Sequence, residues 1–258
     1  MDNPRLHRYA VLVAVCTFLL FINGPVVSTN EYRPLYSLGQ SHAWLGAVVT
    51  ILVTALVFWL SRLKVSARLR QMAWTALGAS IVLDLVVFES SPLPAPLRIA
   101  HTLLGQLFFS TTVVIVIFTS KNWSRSTTPI EHARPLRIRA TTTVALVLLQ
   151  VSLGAAFRHG AIGALPHILG ALVLAVFLGP AIAMILRTER REVRSAAIAL
   201  TMTACLQILV GFALLTMESF DDIDPLVVII VTTAHVALGS LTLAAAIATA
   251  IQIKKPAT

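Results

Sequence analysis

Charged residues are scarce in this sequence. Only 12% of its 258 residues are Asp, Glu, Lys or Arg, whereas a soluble domain normally carries about a quarter. Hydrophobic residues make up 57% of the chain, and its mean hydropathy is +0.85. Short segments of about 10 residues with alternating polarity, which are typical of membrane barrels, do not occur either. The composition therefore excludes an ordinary soluble domain and predicts an all-α integral membrane protein.

Cysteine is also scarce, with two residues in the whole chain, Cys16 and Cys205. Both fall inside apolar segments, where a lone thiol usually behaves as a small hydrophobic group. The sequence assigns no disulfide to them. The basic, then apolar N-terminus has no clear small-residue cleavage site after its apolar run, so we interpret it as a retained first helix and not as a signal peptide.

Apolar runs of about 20 residues recur along the chain, each long enough to cross a hydrocarbon layer of roughly 30 Å. Helices are expected because a backbone in lipid must satisfy its own hydrogen bonds. The sequence predicts eight transmembrane helices, at Tyr9–Val27, Ala43–Leu60, Met72–Phe88, Ile99–Thr119, Ala140–Phe157, Leu165–Leu186, Ser195–Met217 and Leu226–Ile253.

The distribution of basic residues predicts the orientation. Of the 20 Lys and Arg residues, all but Arg33, Arg98 and Arg158 fall at the termini or in the loops after helices 2, 4 and 6. The positive-inside rule then places both termini in the cytoplasm. We expect a multi-pass protein of the cell's inner (plasma) membrane, in contact with the lipid bilayer. The net charge of +9 reflects this topology and does not indicate a nucleic-acid partner. The sequence leaves open whether the protein forms a homo-oligomer.

The chain looks duplicated. The fifth and seventh helices share a Leu-Gln-x-x-x-Gly pattern, in "LQVSLG" (149–154) and "LQILVG" (206–211). The longest predicted cytoplasmic loop separates helices 4 and 5. We therefore expect two pseudo-symmetric four-helix bundles, residues 1–120 and 140–258, joined by a linker at 121–139.

Four of the seven histidines begin even-numbered predicted helices on the outer side: His42, His101, His167 and His235. A glycine follows each on the same helix face, three or four residues later, namely Gly46, Gly105, Gly170 and Gly239. Histidine commonly ligates haem iron, and a glycine leaves backbone space for a flat ring. Interfacial hydrogen bonding and close helix packing are the alternative explanation. Because the pattern occurs four times, we favour haem ligation, with two histidines in each half. A metal other than haem iron is less favoured, because no Cys, Asp or Glu sits nearby at ligand spacing.

These segments resemble haem A synthases, eight-helix cytochrome oxidase assembly proteins that convert haem O to haem A. The words that carry the resemblance are "HTLLGQLFFS", "LLQVSLGAAFRHGAIG" and "HVALGSLTLAAAIATAI", with "NGPVVST" at the end of the first helix. The resemblance implies that His167 and His235 hold a resident haem b. It also implies that His42 and His101 face the haem O substrate and haem A product. Partners implied are the haem O-producing farnesyltransferase and oxidase assembly factors.

The first outer loop departs from that family. "NEYRPLYSLGQ" is short and has neither the cysteine pair nor the "PDWPL"-like motif. The glutamate that family members carry three residues before the first histidine is Gly39 here, and the arginine usual after that histidine is Ala43. Glu31, in the same loop, is the remaining candidate for a catalytic carboxylate. The alternative to an oxidoreductase is a non-catalytic haem b protein that transfers electrons or delivers haem. A small transporter without a cofactor would explain the duplication but not the histidines.

Other polar groups complete the candidate site. Arginine suits the propionate carboxylates of haem, and Arg98 and Arg158 lie near the outer ends of helices 4 and 5. Asp84 is an intramembrane carboxylate, which predicts a functional partner such as Arg98. The glutamines Gln106, Gln150 and Gln207 are expected to form hydrogen bonds between helices.

Overall fold

The computed structural model describes residues 3–29, 36–87, 93–123, 129–130, 133–217, 219–220 and 222–255. These ranges are helical and contain no strand. In chain order the helices are α1 (Pro4–Thr29), α2 (Tyr36–Arg62), α3 (Ala67–Val87), α4 (Ala95–Thr119), α5 (Ala133–Arg158), α6 (Ala164–Leu186), α7 (Arg191–Met217) and α8 (Pro225–Lys254). The predicted all-helical class is confirmed.

Seven of the helices in the described part of the chain are long and apolar enough to cross a membrane; α3 is the exception. Arg68 and Arg70 lie at the start of α3, and Asp84 lies near its end, which lowers its hydropathy. The chain thus has the character of a multi-pass helical membrane protein. The crossing by α3, and with it the count of eight spans, stays a prediction.

Side chains at the helix starts explain where three helices begin. The backbone N–H of Leu6 donates to Asn3 Oδ1 (3.1 Å) at α1, and that of Leu69 donates to Ser66 Oγ (3.3 Å) at α3. At α8 the N–H of Leu226 donates to Asp224 Oδ1 (2.8 Å). Each cap satisfies a backbone donor that the helix itself leaves open.

Two apolar cores form, and each draws on four consecutive helices. One contains residues of α1 to α4, including Val13, Val53 and Ile115. The other contains residues of α5 to α8, including Leu200 and Leu243. Outside these cores many large apolar side chains are exposed, among them Trp44 at 73% and Val176 at 77%. Such exposure is expected of surfaces that contact lipid and not water.

The chain divides into two compact units that do not follow the chain order strictly. The first consists of residues 1–93, 104–124 and 210–237, and the second of 94–103, 125–209 and 238–258. The first unit contains His42 and His235, and the second contains His101 and His167. The predicted division into halves 1–120 and 140–258 stays a prediction.

Candidate functional site

The four candidate histidines lie within about the first three turns of α2, α4, α6 and α8. All four side chains are partly buried. Three of the rings pack against a glycine of the preceding helix, so closely that a methyl group there would press on the imidazole. The pairs are Gly24 with His42 (3.3 Å from the methyl position to Cε1), Gly154 with His167 (2.9 Å) and Gly211 with His235 (2.8 Å).

These three rings share one orientation. In each case Cε1 lies nearest to the glycine, with Nδ1 at 3.3–3.8 Å and Nε2 at 3.7–4.0 Å, measured from the methyl position. The Cε1 end of each ring, flanked by its two nitrogens, therefore faces the neighbouring helix. The sequence prediction missed Gly24, Gly154 and Gly211 as contacts of the histidines. Their signal was in the sequence, because two of them end the repeated Leu-Gln-x-x-x-Gly pattern.

The glutamine of that pattern also contacts the histidine helix. In α5 the Gln150 side-chain amide lies 3.0 Å from His167 Nδ1 and donates to the His167 carbonyl oxygen (2.9 Å). One hydrogen of the Gln150 amide points to each of these two atoms. Nδ1 therefore accepts a hydrogen bond, and the proton of the neutral His167 ring resides on Nε2. The prediction that Gln150 forms a hydrogen bond between helices is confirmed. Each repeat thus supplies a glutamine and, one turn later, a glycine.

The predicted role of the glycines that follow the histidines, backbone space for a flat ring, stays a prediction. Side chains of other helices occupy the space over them: Asp84 at Gly46, Phe21 at Gly105, Gln150 at Gly170 and Gln207 at Gly239. A methyl group at Gly46 would lie 2.6 Å from Asp84 Oδ1, and one at Gly239 would lie 3.3 Å from Gln207 Nε2. The missing Cβ atoms therefore admit neighbouring side chains, as small residues in membrane helices commonly do.

Asp84 has a partner within the first unit. The hydroxyl of Thr50, one turn beyond Gly46 on α2, donates to Asp84 Oδ2 (2.7 Å). The carboxylate thus lies against Gly46 and Thr50, and links α3 to α2. In a membrane-spanning segment such a bond satisfies a group that lipid cannot.

A basic cluster forms at the end of the second unit where α4 begins and α5 ends. Arg98 is exposed near the start of α4, and Arg158 is partly buried as the last residue of α5. The hydroxyl of Thr102 donates to the Arg98 carbonyl oxygen (2.9 Å). Its oxygen is therefore free to accept the Nε2–H of His159 (3.1 Å).

Burial lowers the pKa of His159 to about 4, with the charges of Arg158, Arg98 and His101 adding to the effect. His159 is thus a neutral hydrogen-bond donor held within a cationic cluster. The other loop candidate, Glu31, lies outside the described residues, as does Arg33.

No group of three or more His, Cys, Asp and Glu side chains that could hold a metal ion occurs in the described ranges. A cavity of about 550 Å³ is lined by Arg139 of α5 and by five residues of α6, namely Leu172, Val173, Val176, Phe177 and Pro180, and no histidine lines it. The chemistry offered by these residues is therefore that of single imidazoles on separate helices, with a cationic cluster in the second unit where α4 begins and α5 ends.

No protein-family model matches this sequence, and no curated protein matches it. The class that the fold defines is a multi-pass helical membrane protein with polar contacts between its helices.

Proposed function

We propose that this protein binds haem in the membrane and acts as a haem A synthase, oxidising a ring methyl of haem O to the formyl group of haem A. The observation that carries the proposal is the common orientation of His42, His167 and His235. Each places the Cε1 end of its ring against a glycine of the preceding helix. Nε2 is a usual ligand atom for haem iron.

The surroundings of His167 suit an axial ligand. Ligating histidines usually donate their second ring N–H to a nearby acceptor, which orients the ring. In this structure Gln150 instead contacts Nδ1 through its amide nitrogen, which also donates to the His167 carbonyl oxygen. Accepting from an Nδ1–H would require the side chain to give up that carbonyl bond, so what Gln150 supplies here is a fixed ring position.

The cationic cluster of Arg98, Arg158 and His159 suits the propionate groups of a haem. Arg98 and Arg158 offer guanidinium groups for propionate carboxylates, and His159 keeps Thr102 in place beside them. When bound, haem supplies a redox-active iron for electron transfer. The chain's own contribution is to hold the imidazoles, to bind the carboxylates and to exclude water with apolar helices.

The second candidate function is a non-catalytic haem b protein that transfers electrons or delivers haem. Gly39 favours it, because this position carries a glutamate in the family that the sequence resembles. Under this alternative the histidines keep their role as ligands and Glu31 has none.

The test is to purify the full chain from a host that makes haem O and to analyse the extracted pigment. Haem A in the extract is expected if the protein is a synthase, and haem b alone supports the carrier. Each candidate histidine is also replaced by alanine, one at a time, and the haem absorption spectrum is measured. Histidines that hold the same iron should lose the same absorption bands; the variants are His42→Ala, His101→Ala, His167→Ala and His235→Ala.

The matched control is His7→Ala. His7 lies at the opposite end of the helices, with its Nδ1 3.2 Å from Thr119 Oγ1, and this variant should keep the full haem content. A folded protein that contains no haem under abundant supply would contradict both candidate functions.

A further inference from the structure

The cavity of about 550 Å³ in the second unit is an open groove along one face of α6. Leu172, Val176 and Pro180 lie four residues apart, so their side chains share that face of the helix, and all three are exposed. The other α6 residues that line the cavity are apolar too, and Arg139 of α5 supplies its one charged group. We call this cavity the α6 groove.

Arg139 is partly buried where it borders the groove. Its backbone carbonyl oxygen accepts a hydrogen bond from the Thr143 hydroxyl (2.9 Å). Within the described ranges, however, its guanidinium donates no hydrogen bond and has no carboxylate within ion-pair distance. A partly buried guanidinium without a partner favours an anionic group that can reach it, because hydrogen bonds between ionised groups are among the strong ones.

The groove and the arginine follow one another in the order that a lipid molecule requires. α5 begins and α6 ends on the side that the sequence predicts to be cytoplasmic. Pro180 and Leu172 lie six and fourteen residues before the end of α6, which corresponds to about 9 Å and 21 Å along the helix. Arg139 lies six residues after the start of α5, and helical side chains tilt toward the start of their helix. The groove therefore runs from the charged side chain toward the middle of the bilayer.

We propose that the α6 groove binds an anionic phospholipid of the cytoplasmic leaflet. The lipid phosphate contacts Arg139, whose planar fork of N–H donors matches phosphate oxygens. One acyl chain lies along the apolar side chains from Pro180 to Leu172. Basic sites beside membrane helices on the cytoplasmic side are known to bind anionic headgroups. The groove shares no residue with the proposed haem site, so the proposal does not depend on the proposed function.

Charge favours a lipid over a second copy of this chain as the occupant. All but three of the 20 Lys and Arg residues fall at the termini or in the loops that are predicted to be cytoplasmic. A second copy in the same orientation would therefore bring further cations toward Arg139. A helix that covered the guanidinium without offering an anion would also remove it from water unpaired, which is unfavourable. A phospholipid supplies the opposite charge and the apolar chain in one molecule.

Native mass spectrometry of the full chain in a neutral detergent tests the proposal, because it counts the lipids that each protein molecule retains. The protein is titrated with phosphatidylglycerol and, separately, with phosphatidylcholine that has the same acyl chains. We expect phosphatidylglycerol to be retained preferentially. A further arm adds glycerol phosphate, which carries the anionic group without acyl chains. It should not displace the lipid at equal concentration, because it cannot occupy the apolar part of the groove.

Two variants locate the lipid, one at each part of the groove. Arg139→Gln removes the cation and should weaken phosphatidylglycerol binding by about tenfold, the loss expected for one hydrogen bond between charged groups. Val176→Trp fills the groove without changing the charge and should weaken the binding of both lipids. The matched controls are Arg134→Gln, at an exposed arginine of α5, and Val48→Trp, at an exposed position of α2; neither residue lines the groove. Both controls should retain lipid as the unaltered chain does.

Four results would overturn the proposal. The unaltered chain could show no preference for phosphatidylglycerol, or glycerol phosphate could displace the lipid, which would indicate a site for a free anion. Arg134→Gln could weaken binding as much as Arg139→Gln does, which would indicate nonspecific attraction to the basic end of the protein. A dimer without bound lipid that Val176→Trp converts to a monomer would assign the groove to a second copy of the chain.

Discussion

At the scale of single residues, the histidines are defined by what touches each edge of the ring. For His167, Gly154 lies against Cε1, and the Gln150 amide contacts both Nδ1 and the backbone carbonyl. The ring therefore has a fixed position before any ligand binds. Preorganisation of this kind lowers the entropy that a ligand must overcome on binding.

Replacing Gln150 by Leu should lower the unfolding free energy by about 1 kcal/mol, the range measured for side-chain hydrogen bonds between membrane helices. The bonds from the amide to His167 Nδ1 and to its carbonyl oxygen are lost. Reversible unfolding in bicelles measures the change. The matched control is Gln71→Leu, at an exposed position of α3, which should stay within about 0.5 kcal/mol. Equal effects of the two variants would contradict an energetic role for the Gln150 contacts.

The stability of the protein should fall as the pH drops from 6.5 to 4. The pKa of His159 is lowered from 6.5 to about 4 by burial and by Arg158, Arg98 and His101. In that pH range the unfolded chain binds a proton that the folded chain does not, so protonation favours unfolding. Above pH 6.5 both forms are neutral, and this contribution to stability is fully present.

The variant His159→Gln separates this titration from other groups. A glutamine amide reaches the position of Nε2 and can still donate to Thr102 Oγ1 but does not titrate, so the slope of stability against pH between 4 and 6.5 should decrease. Chemical unfolding at several pH values measures it. A slope identical to that of the unaltered chain would show that His159 is not the responsible group.

At the scale of elements, the repeated Leu-Gln-x-x-x-Gly pattern describes how an odd-numbered helix meets the even-numbered helix after it. Gln150 occupies the space over Gly170 of α6, while Gly154 receives the His167 ring. In α7 and α8 the Gln207–Gly239 and Gly211–His235 contacts have the same form. Two contacts one turn apart restrict sliding and rotation of one helix against its partner.

Gly154→Ala should destabilise the α5–α6 pair by about 1–3 kcal/mol, the usual cost of an inserted methyl group in a packed interior. The added Cβ would lie 2.9 Å from His167 Cε1, so the ring or the helix must move. Unfolding in bicelles measures the stability, and the haem spectrum, if haem is bound, should shift because the ring moves.

Gly78→Ala is the matched control for that experiment. Gly78 lies inside α3, and no atom of another helix lies within 4 Å of the methyl position among the described residues. Alanine is the better helix former by about 1 kcal/mol, so this variant should be neutral or more stable. A stability loss at Gly78 equal to that at Gly154 would contradict a specific contact with His167.

At the scale of the whole molecule, the orientation in the membrane can be tested directly. With Cys16 and Cys205 replaced by alanine, a cysteine at exposed Ala161 or Lys121 reports the side on which each loop lies. A membrane-impermeant thiol reagent should label Ala161→Cys in intact cells and Lys121→Cys only after lysis. The reverse pattern would contradict the predicted cytoplasmic termini.

The sequence by itself determined the helical membrane class and the eight helices, seven of which are long and apolar enough to cross a membrane, because apolar runs of that length have no other stable arrangement in lipid. It also identified the four histidines and the Leu-Gln-x-x-x-Gly repeat as features that need an explanation. For α3 the apolar signal was weaker, since Arg68, Arg70 and Asp84 interrupt it.

Only the tertiary structure decided which residues contact the histidines. Sequence spacing relates positions on one helix, so it paired each histidine with the glycine that follows it. The contacts are instead between helices, where Gly154 and Gly211 meet the rings while Gly170 and Gly239 admit glutamines. The rotation of each helix about its axis selects these partners. That rotation follows from packing against neighbours and is not encoded in the spacing of any single helix.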